Sequence, residues 1–204
     1  MDTHCNKSLE IISPGTLLRG FLPAGETGNF FDTLVTTLSQ LQGLKKTLLP
    51  HENERNTVLA NLLRARGHRA LDQTLHGSSE TGDSLGEPDI EIEDDTGRAV
   101  SIIEALVLDS LDTTAIDRHI RKLFHNYDCS GLKKNYIIVY AAVKDFAGFC
   151  EKYRKHLEEI DYKSYPLKGK IAAKETGFNK IAAYQARHRC HKNETVLDHL
   201  LVEM

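Results

Sequence analysis

Apolar residues recur along the chain with two distinct spacings, and the change from one to the other marks out the elements. In Phe30-Phe31-Asp32-Thr33-Leu34-Val35-Thr36-Thr37-Leu38-Ser39-Gln40-Leu41, apolar side chains fall at 31, 34, 35, 38 and 41. These three- and four-residue steps predict a helix that Pro50 stops. A second helix is expected from Glu52 to Arg66, with Val58, Leu59, Leu62 and Leu63 as its buried stripe and Gly67 as its C-terminal stop. The spacing then changes to alternation. Pro88 to Glu93 alternates apolar with acidic residues, Asp94-Asp95-Thr96-Gly97 reads as a turn, and Ala99 to Leu108 reads as a more buried strand, so an antiparallel hairpin is predicted.

Helical spacing returns in Asp112 to Tyr127, where Ile116, Ile120, Leu123 and Phe124 form the stripe. Asn135 to Val143 reads NYIIVYAAV, rich in β-branched and aromatic residues, and predicts a central strand. Lys144 to Ile160 predicts a further helix with Phe146, Phe149, Tyr153 and Leu157 on one face. Lys180 to Met204 predicts two strands around His191-Lys192-Asn193-Glu194. Residues 1–29 carry turn formers (Pro14-Gly15, Gly20, Pro23, Gly25, Gly28) and read as an irregular arm, and Gly77 to Gly86 reads as a polar loop or flap. The expected order is two helices, a strand, a strand pair, a helix, a strand, a helix and a C-terminal hairpin. That order predicts the α/β class, a central mixed sheet flanked by helices. An N-terminal arm and helix (1–50) would precede an α/β domain (51–204).

Composition changes this picture little. The chain has 204 residues, 40% hydrophobic and 27% charged, the usual make-up of a globular domain. No apolar run approaches the ~20 residues that span a bilayer, and the first twenty residues lack a secretory pattern, so a cytoplasmic protein without a membrane partner is expected. The four cysteines are scattered and expected to be reduced. Charge is uneven: residues 1–104 hold 9 Lys/Arg against 16 Asp/Glu (−7), and residues 105–204 hold 17 against 13 (+4). A basic region beside an acidic one suits a polyanion-binding protein that also holds a cation, and it suits an ordinary mixed-charge surface equally.

The candidate chemistry lies in the predicted hairpin. Side chains two apart on a strand share a face, so Asp89, Glu91 and Glu93 lie together, and Glu104 shares a face with Ile102, Leu106 and Leu108. In-register pairing would bring Asp89 and Glu104 to one side of the sheet. Two desolvated carboxylates repel, so one holds a proton or a cation lies between them, and hard divalent ions such as Mg²⁺ take these ligands. Two plainer readings stay open: Arg121 or Lys122 pairs with Glu104, or Asp89 caps a turn after Pro88. No nucleophile elbow, P-loop or dinucleotide fingerprint is present.

Pro88-Asp89 followed by Ile102-Ile103-Glu104-Ala105-Leu106, after a helix with an acid near its start, resembles the PD-(D/E)xK nuclease superfamily over roughly residues 51–143. The resemblance implies a restriction-endonuclease-like core and an endonuclease that hydrolyses DNA phosphodiesters with Mg²⁺ (or Mn²⁺), in a bacterial restriction or phage-defence setting. It implies Glu54, with Glu52 as an equally placed rival, as the helical acid. Asp89 and Glu104 become catalytic metal ligands, and the Ala105 carbonyl a further oxygen ligand. The family's lysine belongs where this chain has Leu106. Lys122, Arg121, Lys133 or Lys134 would have to replace it. Otherwise the chain is a catalytically inactive subunit that binds DNA or a partner protein in a larger complex. A homodimer is a further expected assembly.

Overall fold

The computed structural model describes residues 29–44, 51–72, 88–190 and 193–204. The expected irregular arm, the Pro50 stop, the Gly77–Gly86 flap and the His191-Lys192 turn lie outside the described residues, apart from Asn29. Helix α1 spans Phe30–Gly43 and α2 spans Glu52–Ala65. Three strands follow, β1 (Arg69–Asp72), β2 (Ile90–Glu93) and β3 (Ala99–Leu108). Helix α3 (Thr113–Lys122) runs into a π-helical turn over Leu123–Tyr127, then β4 (Lys134–Ala141) and α4 (Phe146–Glu159). The chain ends in β5 (Ala172–Lys174), β6 (Ile181–Cys190) and β7 (Asn193–Glu203).

The seven strands form one sheet in the order β1-β2-β3-β4-β7-β6-β5. Its centre is parallel (β3 with β4, β4 with β7), and the outer pairs are antiparallel. Parallel neighbours need a crossover, and α3 supplies it between β3 and β4. The fold is therefore α/β with a mixed central sheet flanked by helices and closed by a C-terminal hairpin, as the spacing predicted. The short strand β5 at the edge was not expected; three residues carry too little periodicity to register.

Alternation along the central strands divides the core into two layers. Ile102, Leu106 and Leu108 of β3 join Ile137, Val139 and Ala141 of β4 and Leu197 and Leu201 of β7 beneath Ile116 and Ile120 of α3 and Phe149, Tyr153 and Leu157 of α4. Helices α1 and α2 cover the opposite face. The expected α1 stripe, Phe31, Leu34, Val35, Leu38 and Leu41, is buried throughout.

The α2 stripe is rotated from expectation. Arg55, Asn56, Leu59, Ala60 and Leu63 are buried, and Val58 and Leu62 only half so. The cause is Tyr140 of β4, whose hydroxyl donates to Asn56 Oδ1 (3.2 Å) and whose ring lies 5.3 Å beneath the Arg55 guanidinium. Two polar side chains thus take core positions through contacts with one tyrosine.

Under α4, His188 and His199 are fully buried, and each engages only its Nδ1 atom, His188 at 2.9 Å from the Tyr165 carbonyl and His199 at 3.0 Å from the Tyr153 hydroxyl. Burial pushes both imidazoles down, to about 4 and about 3. The unfolded chain then takes up protons at a higher pH than the folded one. The stability from keeping these rings neutral is present above their ordinary value of 6.5 and is lost as pH falls toward 4. Thermal unfolding followed by circular dichroism should show a midpoint that falls over this range, and His199→Leu should reduce the fall.

Candidate functional site

The register Ile90↔Ile103, carried on by one residue, sets Asp89 opposite Glu104. Both are withdrawn from water, Glu104 to 1% exposure and Asp89 to 8%. Asp89 Oδ2 accepts the Ala105 N–H at 2.7 Å, which fixes its carboxyl against β3. Burial, with the Glu104 charge as the next cause, pushes the Asp89 carboxyl up to about 8. The repulsion anticipated from sequence is present, and together with burial it favours the protonated form of Asp89.

Glu104 is held from the next helix. Its Oε1 lies 2.8 Å from His119 Nδ1 and accepts from Lys122 Nζ at 3.3 Å, both on α3. Asp112 starts that helix by accepting the Ala115 N–H (2.9 Å), so one capping bond sets the turns that present His119 and Lys122. Burial works against the Lys122 charge, but the Tyr127 hydroxyl and the Glu104 carboxylate outweigh it and raise the ammonium above its usual range. The second oxygen of Glu104, Oε2, is buried and has no hydrogen-bond partner.

The two acids of α2 diverge. Glu54 is exposed and turned toward its own helix start, 3.5 Å from the His51 N–H. Glu52 instead accepts the Val107 N–H of β3 at 3.1 Å, and it feels the charges of His119, Glu104 and Lys122. Burial raises its carboxyl as well. Of these two acids, the structure brings Glu52 to the cluster and leaves Glu54 in a capping position. Both lie in the first turn, so sequence spacing alone gave no preference; the β3 amide decides between them.

The rivals for the missing lysine separate equally clearly. Leu106 is 2% exposed within the core under α3 and α4, where a charge would be costly. Lys134 projects on the opposite face of the sheet, 3.1 Å from the buried Asp198, which Lys174 also contacts at 3.1 Å. Arg121 is exposed and donates to the Asp117 carbonyl, and Lys133 is exposed. Lys122 alone of the four is bonded to Glu104. The plainer reading of Glu104, pairing with a helix cation, therefore holds for Oε1.

The acidic strand face resolves into local pairs. Glu93 meets Arg69 across the β1–β2 pair (3.1 Å), and Asp94 folds the turn by accepting from Thr96 and Arg98. Gly97, at φ 78, completes that turn.

Among the described residues, no three His, Cys, Asp or Glu side chains are grouped as ligands for a single ion. The carboxylates that face each other across β2 and β3 are oxygen donors, one of them with an orphaned atom, and oxygen donors suit a hard divalent cation better than a soft one. No family model, curated protein or solved structure matches the chain.

The raised Asp89 carboxyl carries a stability consequence. Between its ordinary value of 3.8 and about 8, the folded chain holds a proton that the unfolded chain releases. Folding stability therefore falls as pH rises through that window. Asp89→Asn should raise the unfolding midpoint, measured in EDTA, and the gain should be larger at pH 8.5 than at pH 5.

Proposed function

We propose that this chain is a metal-dependent DNA endonuclease that acts in the cytoplasm. Asp89, Glu104 and the Ala105 carbonyl would hold Mg²⁺ or Mn²⁺, and Lys122 would serve in place of the lysine absent at Leu106. The observation that carries this reading is the divided role of Glu104. One oxygen is oriented by His119 and Lys122, and the other is buried without a partner beside a carboxyl that its charge perturbs. A divalent ion bound there would act as a Lewis acid on a phosphodiester and lower the pKa of a nucleophilic water.

The chain's own residues supply the remainder. Lys122 keeps its proton, so its ammonium offers fixed positive charge where phosphorane charge develops. His119 holds the Glu104 carboxylate in one orientation. Glu52, tied to the Val107 amide, adds a third acid beside the pair and takes the role expected for Glu54. Hydrolysis would form a phosphorus–oxygen bond from water and break the bond to the leaving sugar oxygen. The charge difference between the two halves of the chain supports a polyanionic substrate. A bacterial restriction or defence role is the setting we favour.

A second reading rests on the pairing of Glu104 Oε1 with both His119 and Lys122, which leaves less negative charge to attract an ion. On that reading the chain is an inactive subunit that binds DNA or a partner protein. Plasmid nicking with Mg²⁺ or Mn²⁺ separates the two. The endonuclease reading expects cleavage, its loss in Asp89→Ala and Glu104→Gln, and a reduction of about 10²–10³-fold in Lys122→Ala. Wild-type protein that raises its unfolding midpoint with neither metal and nicks no DNA would leave the inactive-subunit reading.

A further inference from the structure

The helix that carries Lys122 does not end as its sequence pattern predicts. Asp112 to Tyr127 reads as one continuous helix, yet α-helical geometry stops at Lys122 and a π-helical turn covers Leu123–Tyr127. Its bond, from the Asp128 N–H to the Leu123 carbonyl, is 2.8 Å long and spans five residues. In an α-helix the residues one turn beyond Lys122 would be His125 and Asn126, and Tyr127 would face elsewhere. The wider turn accommodates one more residue and brings Tyr127 into line with Lys122. Lys122 Nζ lies 5.4 Å from the Tyr127 ring centroid, and the Tyr127 hydroxyl helps to hold the ammonium above its usual range.

The turn is also fastened to the strand that bears Glu104. Asp128, directly after it, is buried and accepts the Leu132 N–H (2.7 Å) with one oxygen and Asn135 Nδ2 (2.7 Å) with the other. Asn135 Oδ1 in turn accepts the Ile102 N–H at 2.9 Å, two residues before Glu104. Tyr127 and Glu104, both neighbours of the Lys122 ammonium, are thus linked through Asp128, Asn135 and the Ile102 amide. π-turns sacrifice regular helix bonding and occur frequently at functional sites.

We propose that this π-turn serves to set Tyr127 against Lys122, so that Tyr127 is the positioning residue that keeps the ammonium on Glu104. The inference rests on the endonuclease reading only for its effect on rate. A lysine stem is flexible, and without a second anchor its head group would sample solvent. The ring and the hydroxyl restrict it to one side, and Glu104 takes it from the other.

The test uses the full chain with Tyr127→Phe, which keeps the ring and deletes the hydroxyl, and Tyr127→Leu, which removes both. A lysine ammonium gives a resolved nitrogen–proton NMR signal when hydrogen bonds slow its exchange. The Lys122 signal, assigned by its loss in Lys122→Ala, should be visible in the wild type and broadened in both variants. In plasmid nicking with Mg²⁺, Tyr127→Phe should lower kcat about tenfold with KM unchanged, and Tyr127→Leu should lower it further. Unfolding midpoints identify any variant that fails to fold, and the near-isosteric Tyr127→Phe decides if Tyr127→Leu does. No Lys122 signal in the wild type, or a signal and kcat unchanged in Tyr127→Phe, overturns the proposal. A wild type that nicks no DNA ends the endonuclease reading, and the ammonium signal alone then judges Tyr127.

Discussion

Two carboxyl groups meet across an antiparallel strand pair, out of reach of solvent, and the surroundings of the site are arranged around their repulsion. Asp89 accommodates it through a raised carboxyl pKa, which favours its neutral form, and by lending one oxygen to the Ala105 amide. Glu104 accommodates it by accepting an imidazole and an ammonium on one oxygen. Neither arrangement reaches Glu104 Oε2, which stays buried and unmatched. A buried polar atom without a partner costs stability. On the proposed reading, that orphaned oxygen is where a bound ion would be held.

The strand that carries Glu104 also builds the core, and that double duty shapes the chemistry on offer. Ile102, Leu106 and Leu108 lie on the Glu104 face and pack beneath α3 and α4. A lysine two residues after Glu104 would have to bury its charge among them. Positive charge comes instead from α3, whose buried side holds Ile116 and Ile120 and whose flank offers His119 and Lys122. On the proposed reading, the departure at Leu106 and the placement of Lys122 are two halves of one solution. The opposite face of the sheet repeats the physics with different parts, where Asp198 is buried between Lys134 and Lys174 and Gln185 completes its bonding.

Most of the architecture was legible in the chain. Each long apolar stripe became a helix or strand close to its expected bounds, because burial of those residues favours one period over the other. Pro88-Asp89 and Glu104 could be picked out as meeting because a period of two and a tight turn leave few registers for a short hairpin. Legibility failed where a distant side chain intervened. The α2 stripe rotated because Tyr140 claimed Arg55 and Asn56. Glu52 prevailed over Glu54 because a β3 amide lay within its reach. The helical pattern through Tyr127 gave no hint of a π-turn, since the Asn135–Ile102 bond that ties the segment after it to β3 joins residues 33 positions apart.

The sequence by itself determined the class of fold, the hairpin, and the presence of a carboxylate too costly to bury alone. These follow from local periodicity and from the desolvation of one charge, both of which can be read residue by residue. Tertiary structure decided which cation meets Glu104, which helix acid joins it, and which of its oxygens remains free. Those outcomes depend on distances between elements separated by tens of residues, and electrostatic partners are chosen by such distances rather than by spacing along a chain.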